Sequence, residues 1–357
     1  MLRKGARLSR ISHEMRSWGV DGVLFTGLEN IRYLTGFTGS SGALLVTGQD
    51  ALFLTDSRYK VQAHEEVKGC RILCYRSLID GITEQVVIAG IERVGFEGGE
   101  VSYDNFVRFS ERLERCTFVS LSRELERIRS IKERREIDCI KRAIGLANSG
   151  FTLAAERIAP GIAEKDIASM IEEEVRAGGA DGIAFDIIVA SGERAALPHG
   201  KASDKVIEKG DFVIVDMGVS LGGYNSDETR TFVVGKPSAR QKRIYQIVKE
   251  GHDKAIDAVK PGAKASDIDA VARGAIRRRK MGKYFGHGTG HGVGIAIHEA
   301  PTISPSSRDL LEEGMVFTVE PGVYIPGWGG VRIEDMVLVT ELGCDVLTTG
   351  SKELTVL

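Results

Sequence analysis

The second half of this chain contains two copies of one pattern, and they constrain the fold more than any other feature. IAPGIAEKDIASMIEE carries Pro160-Gly161 and, six residues after the proline, Asp166; VKPGAKASDIDAVARG carries Pro261-Gly262 and Asp267 at the same step. Further on, Gly210 precedes Asp216 by six residues in EKGDFVIVDMG, and Gly314 precedes Glu320 by six in EEGMVFTVEPG. The helical landmarks are offset by 101 residues (261 − 160) and the strand landmarks by 104 (320 − 216). Each copy reads helix, Pro-Gly turn, helix, then strands. Two such units can pack about a pseudo-two-fold axis, with their sheets joined around a shared cleft.

Each copy also carries a hairpin with a carboxylate on either side of its turn. In DFVIVDMGVSLGGYNSDETRTFVVG, two β-rich runs flank a glycine-rich turn, a hairpin signature. Asp216 and Asp227 sit almost symmetrically about that turn and are expected nearly opposite each other on adjacent strands. In FTVEPGVYIPGWGGVRIEDMVLV, Glu320 and Glu334 flank PGWGG in the same way. Like charges facing each other across a sheet are destabilising, and a lone carboxylate in an apolar strand costs several kcal/mol or keeps its proton. Four carboxylates aimed at one cleft therefore call for cations between them.

A third segment, GHGTGHGVGIAIHEAP, holds His287, His291 and His298, three of the chain's seven histidines, among glycines at 286, 288, 290, 292 and 294. Such glycines are expected to allow tight turns and close approach to a ligand. His199, in ALPHGKASDK, lies on a predicted loop. Oxygen ligands with one imidazole suit Mn²⁺, Co²⁺ or Zn²⁺. Two Asp, two Glu and a neutral His sum to −4, which two divalent ions balance, and a metal pair can acidify a shared water and clamp a tetrahedral intermediate.

The first ~120 residues alternate VDGVLFTG, GALLVTG, ALFLTD, RILCYR and RVGFEG, read as strands, with helical stretches such as SYDNFVRFSERLERC. They predict an α/β domain, without the glycine fingerprint of a dinucleotide site. The charged run SLSRELERIRSIKERREIDC reads as a solvated linker entering a long helix, which puts the domains at 1–122 and 123–357. Net charge is −2, so no global field favours nucleic acid or an anionic membrane. No signal peptide or membrane-spanning run is evident. The five scattered cysteines, without a CxxC pair, fit reduced residues in a cytoplasmic protein.

The motifs VDMG…SDETRTF, GHGTGHGVG…HE, TVEPGVY and VRIEDMVLV resemble those of the pita-bread metallopeptidases, which include methionine aminopeptidase, aminopeptidase P and prolidase. The N-terminal RYLTGFTGSSGALLV and LFLTDSRY are similar to the Xaa-Pro-cleaving branch. The resemblance implies a two-domain α/β protein: a creatinase/prolidase-like N-terminal domain and a pita-bread α+β catalytic domain. It implies two divalent metal ions, Mn²⁺ before Co²⁺ or Zn²⁺, with Asp216 on one metal, Asp227 and Glu334 bridging, and His291 and Glu320 on the other. By the same resemblance Glu320 moves the proton, His199 and His298 hydrogen-bond substrate, and His287 and Arg332 lie near it, Arg332 orienting a ligand carboxylate. The implied enzyme is an Xaa-Pro aminopeptidase, cytoplasmic and homodimeric, acting on peptides with proline second. GFTGSSG leans that way over the alternative, an Xaa-Pro dipeptidase. A non-catalytic peptide- or protein-binding module of the same fold is the alternative from another class. Proline's imide nitrogen has no N–H for a general protease to grip, so a dedicated site is physically sensible.

Overall fold

The structure is a computed structural model and describes residues 5–357. It divides into two compact units, one ending at Arg129 and the other starting at Ser130.

In the first unit, helix Ala6–Trp18 buries Leu8, Ile11 and Met15, a three- and four-residue spacing that makes one apolar stripe. Gly19 ends it in the left-handed conformation at φ 66°. The unit's sheet has six strands in the order Arg71–Cys74, Ala51–Thr55, Ala43–Thr47, Gly22–Phe25, Arg93–Phe96, Thr117–Ser120. The first five strands to appear in the sequence are those expected from their apolar runs. The sixth, Thr117–Ser120, was not foreseen; it pairs parallel to Arg93–Phe96. The expected solvated linker after residue 122 is instead structured. Ser122–Glu126 is a short helix, and the sparse apolar residues Leu121, Leu125 and Ile128 are all buried. Leu121 also lies directly over Gly95, where a Cβ would meet it at 2.4 Å. The unit therefore ends seven residues beyond 122 (129 − 122), because a few well-placed apolar side chains outweigh many charged ones.

In the second unit the internal repeat is explicit. Helices Arg134–Arg157 and Glu164–Ala177 in one copy correspond to Ala239–Asp257 and Ala265–Arg278 in the other. The copies match bond for bond. Glu164 N donates to Lys205 O and Ala265 N to Asp309 O, both at 3.0 Å. Isolated bridges join Ala163 to Val206 and Lys264 to Leu310. These pairs repeat the offsets of 101 and 104 residues seen in the sequence. Gly161 and Gly262 after the prolines, and Gly210 and Gly314 before the strands, all have positive φ, between 78° and 99°, which only glycine adopts without strain.

Each copy has its own apolar core. Strand Phe212–Met217 serves both: Val213, Val215 and Met217 pack with the first copy's helices, Phe212 and Ile214 with the second's. Alternation along the strand puts Asp216 on the side of Phe212 and Ile214, facing the other copy. The sheets of the two copies meet where Thr229 bridges Glu334. Among the described residues, no helix is long and apolar enough to cross a membrane.

Candidate metal centre

The first hairpin pairs Phe212–Met217 with Glu228–Val233, Asp216 opposite Thr229. Its tip is a two-residue turn, Gly222-Gly223 at φ 60° and 82°, closed by Leu221 opposite Tyr224. Asp227 lies two positions before Thr229, so it is a same-face diagonal neighbour of Asp216 rather than opposite it. In the second hairpin, the registers Val319↔Asp335 and Gly322↔Arg332 set Glu320 directly across from Glu334.

His291 comes from a third strand, Gly290–Gly292, packed beside Val316–Val319. The glycines around it have a different reason from the one expected. None of the five between 286 and 294 has positive φ. Two lie where strands press together: a Cβ at Gly290 would meet Thr318 O at 1.8 Å, and one at Gly292 would meet Ala300 O at 2.2 Å.

These elements converge. Ligand atoms of Asp227, His291 and Glu334 lie within 4.8 Å of one another. His291 Nε2 is 3.5 Å from Asp227 Oδ2 and 3.6 Å from Glu320 Oε1. Asp216 joins them on the wall of one cavity of about 520 Å³, with His199, His287, His298 and Arg332 also lining it. All nine residues singled out in the sequence thus face one space.

The electrostatics fit cations. Burial, then the charges of Glu334, Asp216 and Glu320, hold the Asp227 carboxyl well above the ordinary range. Burial, then Glu320 and Asp216, do the same to Glu334. Burial pushes Glu320 up to about 7, against the pull of Arg332. Asp216 Oδ1 is buried without a hydrogen-bond partner among the described residues. His291 Nδ1 donates to Gly292 O at 3.2 Å, so Nε2 presents its lone pair to the acids, the tautomer a metal ligand needs. Burial and His298 lower its pKa to about 4, which keeps it neutral. With Arg332 counted, the site sums to −3 (−4 + 1); two divalent cations exceed this by one positive charge, which leaves room for one small anion. The donor set therefore fits a pair of divalent ions.

Arg332 is buried and already engaged. Its Nε donates to Thr229 Oγ1 at 3.1 Å, Nη1 to Pro198 O at 3.1 Å and Tyr324 Oη at 2.8 Å, and Nη2 to Asp216 Oδ2 at 2.6 Å. Of a guanidinium's five N–H groups, these bonds commit four. Its first task here is to orient Asp216, and one N–H is left uncommitted. Tyr324 passes the chain on to His287, whose Nε2 is 2.9 Å from the phenol oxygen. His287 Nδ1 lies 2.7 Å from Gly288 O and donates to it, so the Tyr324 hydroxyl donates to His287. Gly322 explains the reach of Tyr324, because a Cβ there would lie 2.4 Å from the phenol oxygen.

Sequence reading missed the far face of the same strands. Glu228 and Asp335 follow Asp227 and Glu334 by one residue and so point the other way. Arg230 Nη2 lies 2.7 Å from both. His252, on helix Ala239–Asp257, is fully buried 3.2 Å from Asp335 Oδ2. Simple alternation, D-E in one hairpin and E-D in the other, could have found this second layer.

A duplicated α/β unit with an acid-and-histidine cavity between its halves defines a metal-dependent hydrolase of the pita-bread fold. Comparison with known proteins agrees. Residues 138–341 match metallopeptidase family M24, and residues 7–131 match the creatinase/prolidase N-terminal domain. An Xaa-Pro dipeptidase of Pyrococcus furiosus is 40% identical over 98% of this chain and 99% of its own length. The solved Xaa-Pro dipeptidase from Bacillus anthracis superposes with a TM-score of 0.94 at 42% identity, covering 98% of this chain and 99% of that one. An X-Pro aminopeptidase from Thermotoga maritima gives 0.87 at 39% identity, covering 97% and 100%. The chain belongs to metallopeptidase family M24 and is a metallo-exopeptidase.

Proposed function

We propose that this enzyme is an Xaa-Pro dipeptidase, releasing an amino acid and proline from a dipeptide whose second residue is proline. The observation that carries the reading is the convergence of Asp216, Asp227, His291, Glu320 and Glu334 on one cavity. The names of the relatives support the dipeptidase over the aminopeptidase toward which GFTGSSG leans. Xaa-Pro aminopeptidase is kept as the second reading because a relative so named is 39% identical across nearly the whole chain.

In this reading Asp216 would hold one metal ion, His291 and Glu320 the other, and Asp227 and Glu334 both. Mn²⁺ is proposed before Co²⁺ or Zn²⁺. Bound there, two divalent ions lower the pKa of a shared water and polarise the scissile carbonyl. Glu320 takes the proton of the attacking water and returns it to the leaving imide nitrogen. His298, its ring 4.2 Å from that of His291, and His199 donate hydrogen bonds to the carbonyl oxygen as charge develops on it. The uncommitted N–H of Arg332 faces the proline carboxylate, with His287 lining the cavity beside it.

Assembly as a homodimer and a cytoplasmic location complete the proposal. The test compares an Xaa-Pro dipeptide with the matching Xaa-Pro-Xaa tripeptide on metal-loaded enzyme. Preference for the dipeptide is expected; faster cleavage of the tripeptide would establish the aminopeptidase instead.

A further inference from the structure

Glu164 is the first residue of helix Glu164–Ala177 and is fully buried. Such a carboxylate is costly unless every lone pair is used. Here five donors use them. Oε1 accepts from Ser191 N at 2.7 Å and Ser191 Oγ at 2.8 Å. Oε2 accepts from Arg194 Nε at 2.9 Å, Ser203 N at 3.2 Å and Ser203 Oγ at 2.7 Å. All five donors belong to one segment, 191–203, and His199 lies between them. Arg194 also closes the segment on itself, donating to Lys201 O at 2.6 Å.

The other side of this segment rests on the catalytic sheet. Arg332 donates to Pro198 O, one residue before His199. Gly330 is so close to Ala195 O that a Cβ would stand 2.1 Å from it. His199 itself is exposed on the cavity wall and has little packing of its own to fix it. Its position is inherited from the two ends of the segment, and Glu164 ties both ends to one point.

We propose that Glu164 is a positioning residue for His199: it acts on the reaction through the geometry of segment 191–203, without touching substrate. This rests on the reading of His199 as a substrate-contacting residue. The other repeat has a comparable carboxylate that serves a different loop. Asp269 accepts from Thr289 Oγ1 at 2.8 Å and from Arg273, which in turn donates to His287 O at 2.7 Å. It provides the control.

The test is a double-mutant cycle on metal-loaded enzyme, with metal content and melting temperature measured for every variant. Glu164→Gln should lower kcat/KM roughly 10- to 100-fold with both metals retained, the scale of a small misplacement of a catalytic group. In a His199→Ala background the same change should cost less than about threefold, because coupled residues are non-additive. Asp269→Asn should cost the same with and without His199. If Glu164→Gln does not fold, Ser203→Ala removes one donor and should repeat the pattern at smaller amplitude. Equal losses in both backgrounds would overturn the proposal and make Glu164 merely structural. A His199→Ala variant with wild-type kinetics would overturn the role of His199 and, with it, this one.

Discussion

Arg332 Nη2 donates to Asp216 Oδ2 at 2.6 Å, while Oδ1 of the same carboxylate is buried with no hydrogen-bond partner among the described residues. One oxygen is fixed by the protein and the other is presented to the cavity. Removing the guanidinium would leave a buried carboxylate uncompensated, a change that costs about 3–5 kcal/mol in comparable pairs. Arg332→Gln is therefore expected to lower the melting temperature and to weaken metal binding. Arg332→Lys keeps the charge but loses the planar fork that reaches Thr229, Pro198, Tyr324 and Asp216 together, so it should rescue stability better than turnover. Wild-type metal affinity in Arg332→Gln would contradict this arrangement.

The pH dependence of the metal-free protein has a definite sign. The folded carboxyls of Asp227, Glu320 and Glu334 hold protons more tightly than in the unfolded chain, Glu320 up to about 7 from 4.5. A raised carboxyl pKa gives stability that is present at low pH and lost as pH rises through the folded value. His287 and His291, lowered from 6.5 to about 4 by burial, and His298, also lowered by burial, act oppositely, an effect that fades above pH 6.5 as the unfolded imidazoles lose their protons. From about pH 6.5 to 8 the acids increasingly dominate, so chelated protein should lose melting temperature as pH rises. Metal-loaded protein, whose ligands are already ionised, should not. The melting gap between the two forms should widen across that window; chelated protein that gains stability from pH 6.5 to 8 would refute the cluster's electrostatics.

Glu320→Gln keeps the shape of the side chain and removes its proton-transfer capacity. The expected result is a fall in kcat of roughly 10²–10⁴-fold, with binding of a non-hydrolysed product or inhibitor much less affected. Isothermal titration beside steady-state kinetics separates the two. Full turnover in this variant would remove Glu320 from its assigned role.

Tyr324→Phe deletes one hydroxyl from the Asp216–Arg332–Tyr324–His287 chain. It should leave the fold intact, cost about 0.5–2 kcal/mol of stability, and change KM or kcat. Kinetics identical to wild type would make the chain a packing feature only.

Much of this was legible in the sequence, for physical reasons. The repeat survives as matched Pro-Gly turns and positive-φ glycines, because backbone conformations with few permitted residues leave a durable trace. The acidic hairpins were visible because a carboxylate inside an apolar strand needs a cause. Other features were hidden because they depend on register or on distant packing. That Asp227 is diagonal to Asp216 follows from the two-glycine turn and the extra pair Leu221–Tyr224, which symmetry about the turn does not reveal. The glycines around His291 read as tight turns and close approach to a ligand, yet Gly290 and Gly292 are crowded by Thr318 and Ala300 of the neighbouring strands, a pairing that the local sequence does not show. Residues 122–129 looked solvated because charge dominates their composition, whereas Leu125 and Ile128 decide where they go.

The central claim is that Asp216, Asp227, His291, Glu320 and Glu334 form a cage for two divalent cations. Equilibrium titration of chelator-stripped protein with Mn²⁺ or Co²⁺ tests it most directly. The account predicts saturable binding of two ions per chain, a rise in melting temperature with binding, and loss of both in Asp227→Asn. Stripped, folded protein that takes up no metal, or an Asp227→Asn variant that binds as wild type does, would contradict it.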